Sequence, residues 1–168
     1  MSIFTIGYEG ADIAAFVATL RQAGVQTVAD VRAVAVSRRK GFSKTALSGH
    51  LSDADIGYVH FRDLGDPKLG REAARAGRMR EFESIYAAHL ATTGAQTQLK
   101  ELGVLSEGRS VALLCFEADA KGCHRTIVAR EVAKFHKSSI VHLSVNNQSA
   151  SVGRSRTHDH PCEGLAAA

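Results

Sequence analysis

Ser110-Val111-Ala112-Leu113-Leu114-Cys115-Phe116 is an unbroken apolar run, followed by the polar segment 117–122 and then by Cys123-His124-Arg125. An apolar run without alternation is what a strand needs when both of its faces are covered, and such covering is characteristic of parallel sheets. Beyond the polar segment, Ile127, Val128, Glu131 and Val132 fall in helical register, so a helix is expected over 123–135. A buried strand, a polar loop and a helix in that order make half of a parallel crossover unit.

The same grammar recurs on both sides. Ile3-Phe4-Thr5-Ile6 reads as a strand closed by Gly7-Tyr8-Glu9-Gly10. Residues 11–22 place Ile13, Phe16, Val17 and Leu20 at helical spacing, with Asp12 near the start and Gly24 past the end. A second strand is expected over 25–31. A basic loop over 33–43 leads to Ser43, which is expected to cap a short helix to Leu51. A third strand is expected over 56–61, then a Gly-rich, charged stretch over 64–77 that reads as a long loop or an irregular helix. Helices follow over 81–90 and 95–102, and a last strand over 139–143. Alternation of this kind predicts an α/β fold with a mostly parallel sheet and helices on both faces. One domain over 1–145 is expected, with a disordered tail over 146–168, where Ser, Asn, Gly and Ala replace the apolar pattern.

Composition narrows the class. Hydrophobic residues make up 45 % of 168 residues, enough for a core without disulfide or metal staples. Three cysteines without small-scaffold spacing fit a reducing compartment. No apolar run would span a bilayer, and the N-terminus lacks the layout of a signal peptide, so a cytoplasmic protein without a membrane partner is expected. A net charge of +4 permits an anionic partner without requiring one.

In open parallel sheets, ligands bind outside the carboxyl ends of the strands. The polar groups at those ends are Tyr8-Glu9, Asp30 with Arg32, the basic loop Ser37-Arg38-Arg39-Lys40-Gly41-Phe42, and the stretch from Glu117 to Arg125. Cys123-His124-Arg125 opens a helix, whose free N–H groups and partial positive charge favour phosphate or carboxylate. Arg125 and Arg32 are candidate anion clamps, and Asp30 either pairs with Arg32 or shares the ligand with it. Ser37 and Arg38 are further candidate contacts, and Phe42 either stacks on a base or packs in the core. Tyr8 is a candidate donor to an anion or a stacking ring. Glu117 and His124 are the candidate proton carriers. Cys123, at a helix N-terminus, is expected to have a lowered pKa and is the candidate nucleophile. Cys115 reads as a small core residue. The seven residues between Cys115 and Cys123 are not a usual zinc spacing, so no metal is expected; nor is one expected on His158-x-His160-x-Cys162. No standard phosphate-binding or dinucleotide fingerprint is present, and the sequence names no cofactor.

These residues also carry a likeness. Thr5-Ile6-Gly7-Tyr8, Asp30-Val31-Arg32 with Ser37-Arg38, Leu64-Gly65, and Leu114-Cys115-x-Glu117 with Cys123-His124-Arg125 resemble the domain-of-unknown-function 488 family over about residues 3–143. The resemblance implies a Rossmann-like layered α/β fold and supports a site at these positions, but it supplies no reaction. The chain departs from the family pattern at Ala35-Val36, where a proline is usual, and at Leu64-Gly65-Asp66, where Leu-Gly-Gly is usual.

The expected function is binding, with or without processing, of a phosphate-bearing ligand, either a nucleotide or a nucleic acid. The alternatives are a non-catalytic nucleic-acid-binding module and a thiol-based sulfur-transfer or redox protein using Cys123, with Cys115 as resolving residue.

Overall fold

The computed structural model describes residues 2–147. Five strands form one all-parallel sheet: β1 (Ser2–Gly7), β2 (Thr27–Asp30), β3 (Gly57–His60), β4 (Val111–Cys115) and β5 (Ser139–Leu143), in the order β3-β2-β4-β1-β5. The helices are α1 (Ile13–Gln22), α2 (Lys44–Ser52), α3 (Lys68–Arg75), α4 (Met79–Leu90), α5 (Thr93–Leu105) and α6 (His124–His136), with a 3-10 turn at Arg62–Leu64. The expected tail and its His158-x-His160-x-Cys162 motif lie outside the described residues from 148 onward. Asn147 donates to the Gly10 carbonyl at 2.9 Å and accepts from the Asp12 N–H at 3.2 Å.

Side chains of the central strands alternate between two cores. Ile3, Ala29, Val111 and Leu113 face α3 to α6, meeting Phe82, Tyr86, Leu99, Leu102, Val128 and Val132. Ile6, Val28, Ala112 and Leu114 face α1 and α2, meeting Phe16, Leu20, Leu47 and Leu51. Every residue of β4 is buried, as its unbroken apolar run requires. Burying side chains of this size contributes roughly 1.5–3 kcal/mol each.

This division into faces positions the site. Right-handed crossovers that step from β1 to β2 to β3 place α1 and α2 on one face. After β3 the chain reverses across the sheet, so the same handedness puts α3 to α6 on the other. β4 therefore sits between β2 and β1 but sends its connection to the opposite face from both. A crevice opens at the carboxyl ends of these three strands, the location expected at a topological switch.

One local expectation differs. Ser43 occupies the N-cap position of α2, but its hydroxyl makes no capping bond; Asp12 does cap α1, accepting from Ala15 N–H at 2.7 Å. Of the two forms expected over 64–77, a long loop or an irregular helix, the structure has a helix, the regular α3. Its buried residues are Gly70 and Ala73, while Leu69 is exposed, so it carries no apolar stripe to read.

Candidate functional site

The carboxyl end of β2 is an internal knot. Asp30 is fully buried and grips Arg32 bidentately, receiving Nε on Oδ1 at 2.8 Å and Nη2 on Oδ2 at 2.6 Å. Nη1 of Arg32 donates to the Tyr8 hydroxyl at 3.1 Å and the Phe42 carbonyl at 2.9 Å. Tyr58 adds its hydroxyl to Asp30 Oδ2 at 2.6 Å, and the His60 ring bonds the Arg32 carbonyl at 2.8 Å. Burial alone would lower the pKa of the Arg32 guanidinium, but the Asp30 carboxylate more than reverses that and holds it above its ordinary value. Tyr8 stacks on Phe42 with centroids 4.5 Å apart, and Phe42 meets Phe16 edge-on. Phe42 is therefore a core residue and unavailable to a base.

The loop after β4 is held by a second internal arginine. Arg125, at 1 % exposure, donates through Nη1 to the Glu117 carbonyl at 2.5 Å and to Cys123 Sγ at 3.2 Å, and through Nη2 to the Ala118 carbonyl at 3.1 Å. Gly7 makes the loop's path possible: a Cβ there would lie 1.7 Å from the Glu117 carbonyl oxygen. Glu9 completes the seam, donating its backbone N–H to the Phe116 carbonyl at 2.8 Å and accepting the Ala118 N–H on its carboxylate at 3.1 Å.

Between these knots lies a sulfur-rich cluster. Cys115 ends β4, and Cys123 sits at the N-cap of α6 without capping it. Both thiols donate to Glu117 Oε2, at 2.8 Å and 3.3 Å. The His124 ring places Nε2 2.8 Å from the Val31 carbonyl and Nδ1 3.8 Å from Cys115 Sγ. The Val31 carbonyl can only accept, so Nε2 carries the proton and Nδ1 faces the sulfurs. The expected lowering of the Cys123 pKa is not found. The adjacent Cys115 thiol, and then burial, push the Cys123 thiol well above its ordinary value. The helix N-terminus is too weak to offset them. Withdrawal from water works against the Glu117 carboxylate, but the Cys115 thiol, its own backbone N–H, Cys123 and His124 hold its pKa below normal.

Above this floor opens a cleft of about 830 Å³, lined by Tyr8, Glu9 and Arg32 on one side, by Ser37, Arg38 and Arg39 on another, and by Asp66, Arg71, Arg75, Cys115, Phe116, Glu117 and His124. The geometry separates two kinds of arginine. Arg32, an expected clamp, has its guanidinium taken up internally; Arg125, the other, turns Nη1 and Nη2 inward and keeps a buried Nε without a hydrogen-bond partner. Arg38 and Arg75 are exposed and have no ion-pair partner among the described residues. Arg71 is half-buried and donates only to the Asp66 backbone carbonyl. Ser37 accepts from the Arg39 N–H at 3.1 Å, shaping the basic loop. Phe116, 46 % exposed and edge-on to Tyr8 at 5.4 Å, is the aromatic face the cleft offers.

The structure thus gathers Tyr8, Arg32, Ser37, Arg38, Glu117 and His124 at one cleft, with Asp30, Phe42, Cys123 and Arg125 behind its wall. Three lining groups escaped the sequence reading. Arg71 and Arg75 lie on α3, in the stretch that the sequence leaves open between a long loop and an irregular helix. Asp66 follows Leu64-Gly65 at the end of the 3-10 turn. It is 6 % exposed, its Oδ1 has no hydrogen-bond partner, and burial raises its pKa. Among the described residues no helix is long and apolar enough to cross a membrane.

No curated protein and no solved structure matches the chain. The model of the family described as domain of unknown function DUF488 matches residues 12–132. That span runs from the N-cap of α1 to the buried Val132 of α6 and takes in the Asp30–Arg32 knot, α3, β4 and the Cys123-His124-Arg125 block, so the chain belongs to the DUF488 family.

Proposed function

We propose that the protein binds a phosphate-bearing ligand, a nucleotide or a short single-stranded nucleic-acid segment, in the cleft at the carboxyl ends of β1, β2 and β4. One observation carries this reading: Arg38, Arg71 and Arg75 line a single cleft without carboxylate partners, beside the exposed ring of Phe116. Unpaired guanidinium groups converging on a concave site suit phosphate oxygens, and an aromatic face suits a base. A cleft of about 830 Å³ falls in the size range of small-molecule and cofactor sites. The internally bonded Arg32 and Arg125 fix the walls, while the charges of Arg38, Arg71 and Arg75 meet the ligand. On this reading Glu117 is the group that moves a proton on a bound ligand, since both ring nitrogens of His124 are turned to the Val31 carbonyl and the sulfurs.

Thermal-shift titration with pyrophosphate, adenosine monophosphate and a single-stranded oligonucleotide tests the reading. A stabilised chain, with the effect weakened by salt and lost in Arg71→Ala/Arg75→Ala, is expected. No shift with any of the three overturns it. A shift with the oligonucleotide alone would select the nucleic-acid module. The thiol-transfer alternative needs an exposed, acidic sulfur, and the 4 % exposure and raised pKa of Cys123 weigh against it.

A further inference from the structure

The cluster beneath the cleft has a donor set that the anion reading does not use. Cys115 Sγ, Cys123 Sγ and a His124 ring nitrogen all lie within 4.8 Å of one another, on three buried residues. Tetrahedral zinc bonded at about 2.3 Å to sulfur and about 2.0 Å to nitrogen would hold a sulfur and a nitrogen roughly 3.5 Å apart and two sulfurs roughly 3.8 Å apart. The Cys115 Sγ to His124 Nδ1 separation is 3.8 Å. Glu117 Oε2 contacts both sulfurs, at 2.8 Å and 3.3 Å, and so lies beside this set of three.

The surroundings match what a metal site needs beyond its ligands. The His124 Nε2 proton goes to the Val31 carbonyl, which fixes the ring and leaves Nδ1 as the free donor; metal-bound histidines are oriented in this way. Arg125 donates to Cys123 Sγ, a contact that favours a thiolate. With both cysteines ionised, the cluster and Glu117 carry three negative charges. A divalent ion and Arg125 offset them in sum, with Glu117 itself reaching solvent at the cleft. Thiolate and imidazole donors suit zinc over magnesium or calcium.

We propose that Cys115, Cys123 and His124 form a binding site for a zinc-class divalent ion, with Glu117 as the fourth donor. The long gap between Cys115 and Cys123 argues against zinc in the sequence, but the 117–122 loop folds back on Arg125 and returns position 123 to the end of β4. Cys115, Glu117 and His124 also line the cleft, so a bound ion stands in its wall. Binding is accompanied by release of the two thiol protons to solvent. This inference does not rest on phosphate binding: metal uptake by a chain that ignores all three phosphate probes would sink that reading and leave this one standing.

The test uses the full chain with Cys162→Ser, whose remaining thiols are Cys115 and Cys123. After reduction and desalting it is titrated with Co²⁺ alone. One ion per chain is expected, with an intense thiolate-to-cobalt absorption in the near ultraviolet, visible bands of a tetrahedral ion, and displacement of both by Zn²⁺. Adding Cys123→Ser or His124→Ala should weaken binding by more than the roughly 10–100-fold that loss of an orienting partner costs. Absence of the sulfur band at stoichiometric cobalt, or binding retained when both cysteines are serine, overturns the proposal. Should the variants fail to fold by circular dichroism, the Cys162→Ser titration decides by itself.

Discussion

Arg32→Ala would delete the guanidinium that neutralises Asp30, a carboxylate with no exposure at all. Breaking a buried ion pair from one side costs about 3–5 kcal/mol, because the remaining charge is stranded. Asp30 keeps two donors, the Tyr58 hydroxyl at 2.6 Å and the Arg32 backbone N–H at 3.1 Å, which places the loss near the lower end, about 3 kcal/mol. For a domain of this size that corresponds to a fall in Tm of about 6–12 °C. Urea unfolding of wild type, Arg32→Ala, Asp30→Asn and the double variant would measure both the loss and the coupling. The double variant should be more stable than the sum of the single losses implies, since it strands no charge. Where Arg32→Ala remains folded, its ligand affinity should change little, because its guanidinium is turned inward. A loss below about 1 kcal/mol together with abolished ligand binding would refute this, and would make Arg32 a ligand contact instead of a wall.

Other positions test separate parts of the structure. Arg75→Ala should leave stability within about 0.5 kcal/mol by urea unfolding, since its exposed side chain holds no carboxylate, whereas Arg71→Ala, which loses the bond to the Asp66 carbonyl, should cost about 0.5–1.5 kcal/mol; larger losses would make them structural. Gly7→Ala drives a methyl group into the Glu117 carbonyl oxygen, so it should cost at least the roughly 1–3 kcal/mol of overpacking and reduce soluble yield; wild-type stability would mean the 117 loop does not cross β1 as described. Tyr86→Phe removes the hydroxyl that donates to the Leu64 carbonyl at 2.7 Å and should cost about 1–3 kcal/mol by chemical denaturation, with a neutral result indicating that water replaces it. Leu114→Ala, at full burial in β4, should cost about 2–5 kcal/mol in the same assay; a loss under 1 kcal/mol would place β4 outside the core.

The sheet was legible because the physics that builds it is local. The run over 110–116 states that both faces are covered, Asp12 and Gly24 bracket α1, and strand-helix alternation with right-handed crossovers leaves few arrangements. Convergence of positions 8, 32 and 117 followed from topology alone. Illegible were features set by tertiary contact. α3 buries only Gly70 and Ala73, which leave no hydrophobic periodicity, so Arg71 and Arg75 went unplaced. Whether an arginine at a strand end faces a ligand or its own chain depends on atoms from several elements; Arg32 is captured by Asp30, Tyr8 and the Phe42 carbonyl together. A helix N-terminus predicts an acidic thiol, but enclosure and a second sulfur at Cys123 outweigh it. The closeness of Cys115, Cys123 and His124 depends on how the 117–122 loop turns back, which residue spacing does not encode.

Titration of the isotope-labelled chain with adenosine monophosphate, followed amide by amide by nuclear magnetic resonance, tests the cleft most directly. The account predicts saturable shifts confined to the segments around Tyr8, Ser37–Arg39, Asp66–Arg75 and Phe116–His124, and their disappearance in Arg71→Ala/Arg75→Ala. Shifts that saturate elsewhere on the molecule, or that persist unchanged in that variant, would contradict it.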